Sequence, residues 1–196
     1  DQLLTMLIAG HDTSTALLSW TLCLLNQHPQ VYERLQDEID QTLGGAAPNI
    51  QNTKDLEYLG WVLDEVLRLY PPIHLGSRIT TEDVCFGDYR LPSGTRVMYS
   101  IYLSHRHGDY WPRRHAFWPE RWRDDPRKQL PPYTYLPFGG GPRNCIGMAF
   151  AQVEAKIVLV RLLQAFRFGG PTHPQPPQMH ATLEPPPNFQ LIPQMH

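Results

Sequence analysis

Residues 138–147, FGGGPRNCIG, place a single cysteine between a glycine-rich turn and an apolar helical pattern. The glycines permit positive φ angles and close backbone approach, and the proline after them stiffens the exit from the turn. The helix that is predicted to begin near Ile146 directs its free N–H groups and its positive dipole end at Cys145. Arg143 adds a positive charge two residues away. The segment therefore predicts a stabilised thiolate that acts either as a nucleophile or as a metal ligand.

The neighbours of Cys145 help to choose between interpretations of a lone cysteine. An isolated cysteine at a helix start is most often a small buried hydrophobic side chain. A nucleophile needs a general base, and none of the nine histidines lies in a recognisable nucleophile signature, although a spatial neighbour stays open. One thiolate cannot complete a structural zinc site, whose metal is fully coordinated by side chains. A single axial thiolate is what haem iron can use.

Composition argues against several functional classes. The chain has 196 residues, a net charge of −2 and no long run of one charge, so we expect no nucleic-acid partner. Its three cysteines are widely separated and lack CxxC spacing, so neither a disulfide framework nor a zinc knuckle is predicted and a reducing compartment is favoured. No stretch of about 18 uninterrupted apolar residues occurs. Because the chain begins inside an apolar pattern without an initiator methionine, we expect it to be the later part of a longer protein.

The spacing of apolar residues predicts a mainly α-helical fold with small β-sheets. A mostly buried first helix carries a polar insert, and the last helix is expected to stop at Gly169 and Gly170. The predicted helices cover residues 1–28, a segment that starts at Pro29, residues 55–70 and residues 146–168.

The remaining segments predict strands and ordered loops. Residues 73–101 contain short apolar runs joined by turn signals, which are typical of small strands. Residues 104–137 are rich in Pro, Trp and Arg, and predict an irregular but ordered meander. The proline-rich tail predicts a loose final hairpin.

Four motifs give the chain a resemblance to the cytochrome P-450 superfamily. FGGGPRNCIG matches the haem-thiolate signature FxxGxRxCxG at every fixed position. In the family's order, AGHDTS (residues 9–14) resembles the oxygen-activating stretch of the long central helix, and EVLR (residues 65–68) resembles the ExxR motif. FWPERW (residues 117–122) resembles the PERF element, with Trp in the Phe place. The resemblance covers almost the whole chain but only the C-terminal part of the family's fold, from the oxygen-activating helix to the C-terminal hairpin, so the N-terminal half is expected to be absent.

The resemblance implies b-type haem with Cys145 as its axial thiolate ligand and O₂ as cosubstrate. Phe138 would pack near the sulfur and tune the iron. Gly141 matches a fixed position of the signature, and Gly147 would allow the helix to approach the ring closely.

Further contacts to the haem are implied in the same way. Arg143 and Arg78 match positions that bind the haem propionates, and arginine suits carboxylates through its paired N–H donors. His105 is a weaker propionate candidate. Ala9 and Gly10 are expected to line the face toward the haem.

The polar insert is expected to serve oxygen activation. A glycine and two hydroxyls cost stability inside an apolar helix, and a local widening or kink would open a groove for O₂. The resemblance implies that Thr13 hydrogen-bonds the activated oxygen and that Asp12 relays protons from solvent. His11 stands at a variable position of the motif. The alternative is a polar patch whose hydroxyls bond back to helix carbonyls.

Glu65 and Arg68 lie on one face of the predicted third helix. An exposed pair of this kind contributes only about 0.2–0.5 kcal/mol. Apolar neighbours indicate that this pair is buried, and the resemblance adds Arg121 as a third member. We expect this network to serve folding and haem retention without a chemical step.

The function that the resemblance implies is monooxygenation of a lipophilic substrate, with fatty-acid-like molecules as one class. No GxGxxG follows a strand, so electrons are expected from a redox partner, either a ferredoxin or a flavoprotein reductase. The expected location is the cytoplasm or a cytoplasm-facing membrane surface. Two alternatives are a truncated, non-catalytic haem-binding fragment and thiol-based redox regulation through Cys145.

Overall fold

The computed structural model describes residues 1–195 and is mainly α-helical with small antiparallel sheets, which confirms the predicted fold class. Short 3₁₀ turns, at Asn52–Asp55, Pro119–Trp122, Pro126–Lys128 and Gly141–Arg143, connect the longer elements. The helices are α1 (Gln2–Gln27), α2 (Pro29–Leu43), α3 (Glu57–Leu69), α4 (Ile101–Ser104) and α5 (Met148–Ala165).

Helix α1 is buried along its second half only. From Ala16 onward its apolar face enters the core, because α2, α3 and α5 pack against this half. The first fifteen residues carry large exposed side chains, with Leu3 85% and Leu7 66% exposed. The expectation of a mostly buried first helix is therefore wrong for its first half. Residues 9–15 are α-helical like the rest of α1, so the predicted widening of the helix is absent there.

Helices α2 and α3 are joined by a side-chain cap. Pro29 occupies the first turn of α2, where its missing N–H costs nothing, and Gly44 ends the helix with a left-handed φ of 54°. The Glu38 carboxylate accepts hydrogen bonds from the backbone N–H groups of Tyr58 (2.6 Å) and Leu59 (2.9 Å). These donors belong to the first turn of α3, which otherwise lacks acceptors.

The core lies between α1, α2, α3 and α5. Trp20 of α1 stacks on Tyr70 at the end of α3, with ring centroids 3.7 Å apart and planes inclined by 8°. Fully buried aliphatic side chains fill the space around this stack, among them Leu35, Ile39, Leu59, Val62, Val66, Leu159, Val160 and Leu163.

Four two-stranded antiparallel sheets surround the helices: β1–β4, β2–β3, β5–β8 and β6–β7. The sequence predicts strands in residues 73–101, and the first two sheets lie there. The strands are β1 (Leu75–Ile79), β2 (Val84–Phe86), β3 (Tyr89–Leu91), β4 (Arg96–Ser100), β5 (Phe166–Gly169), β6 (Gln178–Met179), β7 (Leu183–Glu184) and β8 (Ile192–Met195).

The C-terminal part differs from the prediction. Helix α5 ends at Ala165, before the glycines that were expected to stop it, because the next four residues form β5 and pair with β8. The tail contains a short β6–β7 hairpin, but its last strand returns to β5.

Two adjacent glycines at the end of β5 differ in the space around them. A Cβ on Gly170 would lie 2.8 Å from the Gln190 carbonyl oxygen, whereas a Cβ on Gly169 would meet nothing within 4 Å. We expect Gly170→Ala to lower the free energy of unfolding by about 1–3 kcal/mol, because backbone must move to admit the methyl group. Gly169→Ala should be neutral or stabilising by up to about 1 kcal/mol. Urea unfolding of both variants tests this, and equal effects would contradict it.

Candidate functional site

Glu65 of α3 is a fully buried carboxylate with both oxygens satisfied. Its Oε1 accepts from Arg68 Nη2 (2.9 Å), the Trp118 N–H (3.1 Å) and Arg121 Nε (3.4 Å). Its Oε2 accepts from Arg68 Nε and from the Trp122 indole N–H, both at 2.9 Å. The pair with Arg68 is therefore bidentate and fully desolvated, unlike an exposed pair at the same spacing.

The two guanidiniums use their remaining donors on the meander backbone. Arg68 is fully buried, and the Arg121 side chain is only 5% exposed. Burial lowers the pKa of Arg121, which the Glu65 carboxylate opposes. The carbonyls that accept from the two arginines belong to His105, Pro112, Arg113, Arg114 and Ala116.

The structure brings together the three predicted members of this network and adds two tryptophans that sequence reasoning missed. Trp122 stands in the Phe place of the PERF element and supplies an indole N–H that phenylalanine lacks. Trp118 contributes its backbone N–H, and its ring lies against the Arg121 guanidinium, whose carbon is 5.1 Å from the ring centroid. The presence of Trp in the Phe place of the motif could have indicated the hydrogen bond from the Trp122 indole to Glu65.

His105 lies inside this network and not at a surface. Its side chain is fully buried, its Nδ1 hydrogen-bonds the Arg68 carbonyl at 3.2 Å, and its Nε2 accepts from the Leu136 N–H at 2.8 Å. Burial lowers its pKa to about 3, so the imidazole is neutral. The prediction that His105 binds a haem propionate is wrong, because both ring nitrogens are bonded within the protein.

The cysteine loop is closed by its backbone. The Cys145 N–H donates to the Phe138 carbonyl at 2.8 Å, and Gly139 and Gly141 have positive φ angles of 74° and 70°. The Cys145 side chain is exposed, and a Cβ on Gly147 would lie 3.8 Å from its sulfur. The loop therefore presents a thiol outward and leaves space beside it.

Around this loop, Phe138 is partly buried and packs against the helical core. Helix α5 begins at Met148, two residues later than predicted, so Cys145 precedes its first residue by three positions. The first helical hydrogen bond runs from the Ala151 N–H to the Gly147 carbonyl at 2.8 Å.

Two hydrogen bonds define how α1 runs relative to α5. The Ser14 hydroxyl donates to Glu154 of α5 at 2.8 Å, and the Asn26 amide donates to the Pro171 carbonyl at 2.7 Å. Later residues of α1 thus contact later residues of the α5–β5 segment, so the two helices run in the same sense. The polar insert of α1 consequently lies toward the N-terminal end of α5, which follows Cys145 in the chain.

The polar insert has its own hydrogen bonds. The Thr13 hydroxyl donates to the Ala9 carbonyl at 2.7 Å, and the Thr15 hydroxyl donates to the His11 carbonyl at 2.8 Å. Asp12 is paired with His11 Nδ1 at 2.8 Å. The back-bonding alternative thus describes the hydroxyls in this structure, while the Thr13 oxygen keeps its acceptor capacity. Asp12 is half exposed.

The side chains around the loop fit a flat, mostly apolar group with acidic substituents. Ile146 is 96% and Phe150 72% exposed, which gives an open apolar surface beside the thiol. Arg143 has no bonded partner among residues 1–195, and Arg78 donates only to the neighbouring Ser77 carbonyl. Both guanidiniums can therefore donate hydrogen bonds to carboxylates.

The donor set also fits haem iron. Within the part of the chain that the structure describes, no three His, Cys, Asp or Glu side chains are grouped to hold a metal ion. Cys145 would thus be the sole protein ligand at this site, which suits an axial thiolate. At Gly10, predicted to line the face toward the haem, an added Cβ would meet nothing within 4 Å, and Ala9 is exposed.

The comparison with known families decides the assignment. The family model described as Cytochrome P450 matches residues 1–193. The chain belongs to the cytochrome P450 family. This confirms the resemblance that the four motifs indicated.

Several curated relatives are about two-fifths identical to the chain. Cytochrome P450 3A13 of Mus musculus is 43% identical over 166 residues, which are 84% of this chain and 33% of that protein. Cytochrome P450 3A16 of Mus musculus is 40% identical over 168 residues, 85% of this chain and 33% of the relative. Protein LUTEIN DEFICIENT 5, chloroplastic, of Arabidopsis thaliana is 41% identical over 171 residues, 86% of this chain and 29% of that protein. The chain spans about a third of the length of these relatives.

No helix within residues 1–195 combines the length and the apolar character that crossing a membrane requires.

Removing the charge of Glu65 tests the buried network. Glu65→Gln keeps the shape of the side chain but leaves Arg68 and Arg121 buried without a counter-charge, so we expect a loss of about 3–5 kcal/mol in the free energy of unfolding. The matched control is Glu33→Gln, because Glu33 pairs with Arg167 at 4.0 Å on the surface with both side chains more than half exposed. That variant should lose no more than about 1 kcal/mol. Similar losses in the two variants, measured by urea unfolding, would refute a special role for Glu65.

The His105 environment predicts a pH dependence of stability. Burial holds the pKa of His105 near 3, below its ordinary value of 6.5, so between these pH values the unfolded chain binds a proton that the folded chain does not. The free energy of unfolding should therefore fall as the pH falls below 6.5, with a contribution from this group of up to about 1.4 kcal/mol per pH unit. NMR titration should show the His105 imidazole neutral from pH 7 to pH 4. An imidazole that titrates between pH 6 and 7 would contradict the prediction.

Proposed function

We propose that the cytochrome P450 to which this chain belongs is a haem-thiolate monooxygenase that inserts one oxygen atom of O₂ into a lipophilic organic substrate. The observation that carries the proposal is the exposed Cys145 thiol on its closed glycine loop, at the end of α5 toward which the polar insert of α1 lies. A nucleophilic cysteine would instead need a base beside it, and Cys145 has no ion pair or side-chain hydrogen bond to a histidine among residues 1–195.

In this proposal Cys145 would hold the iron of haem b through its thiolate. Haem, when bound, supplies the activation of O₂ and the oxidation of a C–H bond. Arg143 and Arg78 bind the propionates through their free N–H donors, and Phe138 and Gly147 shape the thiolate side. Gly141 gives the loop its left-handed turn.

Thr13 and Asp12 of the polar insert would supply a hydrogen bond and protons to the reaction that haem supports. The Thr13 hydroxyl is anchored to the Ala9 carbonyl and can still accept a proton-bearing partner through its lone pairs. Asp12 is open to solvent and can exchange protons with it. Ala9 and Gly10 are small enough to let a planar group approach α1 closely.

The buried network of Glu65, Arg68 and Arg121 takes no chemical step in this proposal. It holds the meander in place and thereby helps the protein to retain haem.

A lipophilic substrate, including fatty-acid-like molecules, is supported by the apolar side chains that the structure leaves open. Leu3, Leu7 and Ile8 are more than half exposed on the half of α1 that carries the polar insert. Ile73 and Leu75, next to and within β1, are each 43% exposed. Such side chains bind apolar surface when a ligand or another part of a protein covers them.

The electron donor is a separate redox partner, a ferredoxin or a flavoprotein reductase, since the sequence carries no dinucleotide-binding fingerprint. We propose a reducing location, in the cytoplasm or at a cytoplasm-facing membrane surface. This is supported by the free thiols of Cys85 and Cys145, both exposed and unpaired.

Thiolate ligation can be tested by the spectrum of the reduced, carbon monoxide-bound protein after reconstitution with haem. We expect a strongly red-shifted Soret band, because a thiolate ligand donates charge to the iron, and we expect Cys145→Ser to abolish it. The matched control is Cys85→Ser, since Cys85 is the other exposed cysteine and lies on β2. If Cys145→Ser kept the band, or if Cys85→Ser lost it, Cys145 would not be the ligand.

The spectrum, together with O₂ consumption and the alkylation rate of Cys145, separates the two alternative functions. A chain that shows the band but consumes no O₂ with a reductase would be a haem-binding fragment without catalysis. A folded, haem-free chain whose Cys145 is alkylated rapidly would favour thiol-based redox regulation.

The role of Thr13 can be tested in the haem-loaded protein with its reductase. Without the hydroxyl, proton delivery should fail more often, so Thr13→Ala should release more hydrogen peroxide per NADPH consumed, by about tenfold or more. Thr15→Ala is the matched control, because Thr15 makes the same kind of back-bond one half-turn away. Equal peroxide yields from the two variants would rule out the proposed role.

A further inference from the structure

The meander carries an open cavity of about 430 Å³ whose lining residues belong to one short loop. None of the lining side chains is acidic, and most carry a hydrogen-bond donor or a positive charge. They are Gly108, Trp111, Pro112, Arg113, Arg114, His115 and Ala116. None of these residues belongs to the cysteine loop or to the polar insert.

The backbone of this loop has several carbonyls bonded and several N–H groups unpaired. Its carbonyls point into the protein, where they accept from Arg68 and Arg121. The N–H groups of Arg113, Arg114 and His115 donate to no group within residues 1–195. Arg113 has a left-handed φ of 51°, which is rare for a residue with a side chain. Consecutive unpaired N–H groups in such a conformation form a concavity that favours anions.

One wall of the cavity contains a buried donor without an acceptor. Trp111 is 1% exposed, and its indole N–H has no hydrogen-bond partner in the described chain. By contrast, the indoles of Trp20 and Trp122 donate at 2.9 Å to the Leu183 carbonyl and to Glu65. This nitrogen is closed to the cavity as well as to solvent, so the Trp111 ring forms a wall of the cavity and is not itself a contact for a ligand.

The charges around the cavity have one sign. Arg113 and Arg114 have no carboxylate within 4.0 Å in the described part of the chain; Arg114 Nε instead donates to His115 Nε2 at 3.1 Å. Behind Trp111 lie the Arg68 and Arg121 guanidiniums, 5.4 Å and 5.9 Å from its ring centroid.

The buried network leaves this positive charge only partly compensated. Glu65 is the single carboxylate paired with Arg68 and Arg121 within residues 1–195, so one formal positive charge of the network has no counter-charge there. Asp109, the acidic residue closest in sequence, does not line the cavity, is 81% exposed and faces His107 at 3.9 Å.

From these observations we infer that the cavity at Arg113–His115 binds a phosphate group, either free or on a small phosphomonoester. A dianion would pair with the two guanidiniums and accept from the unpaired N–H groups of Arg113, Arg114 and His115, beside the Trp111 ring. This site is separate from the haem-thiolate chemistry proposed above and does not depend on it.

The test follows the Trp111 indole N–H in ¹⁵N-edited NMR spectra of the chain, with its signal assigned by Trp111→Phe. Inorganic phosphate is added at constant ionic strength, balanced with sodium chloride. We expect a saturable shift of this indole signal, and calorimetry should report binding at the same concentrations. O-phosphoserine distinguishes the two sources: tighter binding than inorganic phosphate indicates a phosphomonoester, and equal or weaker binding indicates free phosphate.

Surface variants keep the test decisive even if Trp111→Phe fails to fold. Arg114→Gln should weaken phosphate binding by about tenfold, since one charge-assisted contact is lost. The matched control, Arg123→Gln, removes an exposed arginine of the same meander that does not line the cavity, and it should bind phosphate as the unchanged chain does. A shift that grows linearly without saturation, or equal weakening by Arg114→Gln and Arg123→Gln, would overturn the inference.

Discussion

The burial of one carboxylate, Glu65, between two arginines is the constraint on which the rest of the structure depends. A charge in the core is tolerated only when its partners satisfy it fully, and here both oxygens are saturated by donors from α3 and from the meander. The arginines then use their other N–H groups on carbonyls of a segment that has almost no regular secondary structure. One arginine of α3 and one of the meander itself therefore satisfy the backbone carbonyls of this segment, as a neighbouring strand does in a sheet.

Hydrogen bonds also connect α3 and the meander with the cysteine loop. His105 bonds the end of α3 through one ring nitrogen and the Leu136 N–H through the other, and Leu136 precedes Phe138 by two residues. Tyr135 adds a second tie, since its hydroxyl bonds Asp64 at 3.0 Å, and burial raises the Tyr135 pKa well above its ordinary value. The loop that presents Cys145 is thus anchored to α3 at its N-terminal side, and the closing bond to Phe138 continues this anchor.

Much of this arrangement could be predicted from sequence, and the reasons differ from part to part. The period of apolar residues located the helices, and the spacing of Glu65 and Arg68 placed both on one helix face. The fixed positions around Cys145 were specific enough to indicate the family. The burial of His105 could not be predicted from the sequence. It depends on contacts between segments that are distant along the chain, here with residues 68 and 136. The early end of α5 was not predicted for a similar reason. The residues of its last predicted turn form β5, which pairs with the final strand of the chain.

Leu183 is one of the points at which the tail is attached to the core. Leu183 is fully buried, its carbonyl accepts from the Trp20 indole at 2.9 Å, and its N–H donates to the Pro72 carbonyl at 2.9 Å. On either side of it the chain is rich in proline and largely exposed. Leu183 therefore covers one edge of the Trp20–Tyr70 stack. Shortening the protein to end before residue 183 would admit water to this edge, and Trp20 fluorescence would report the change.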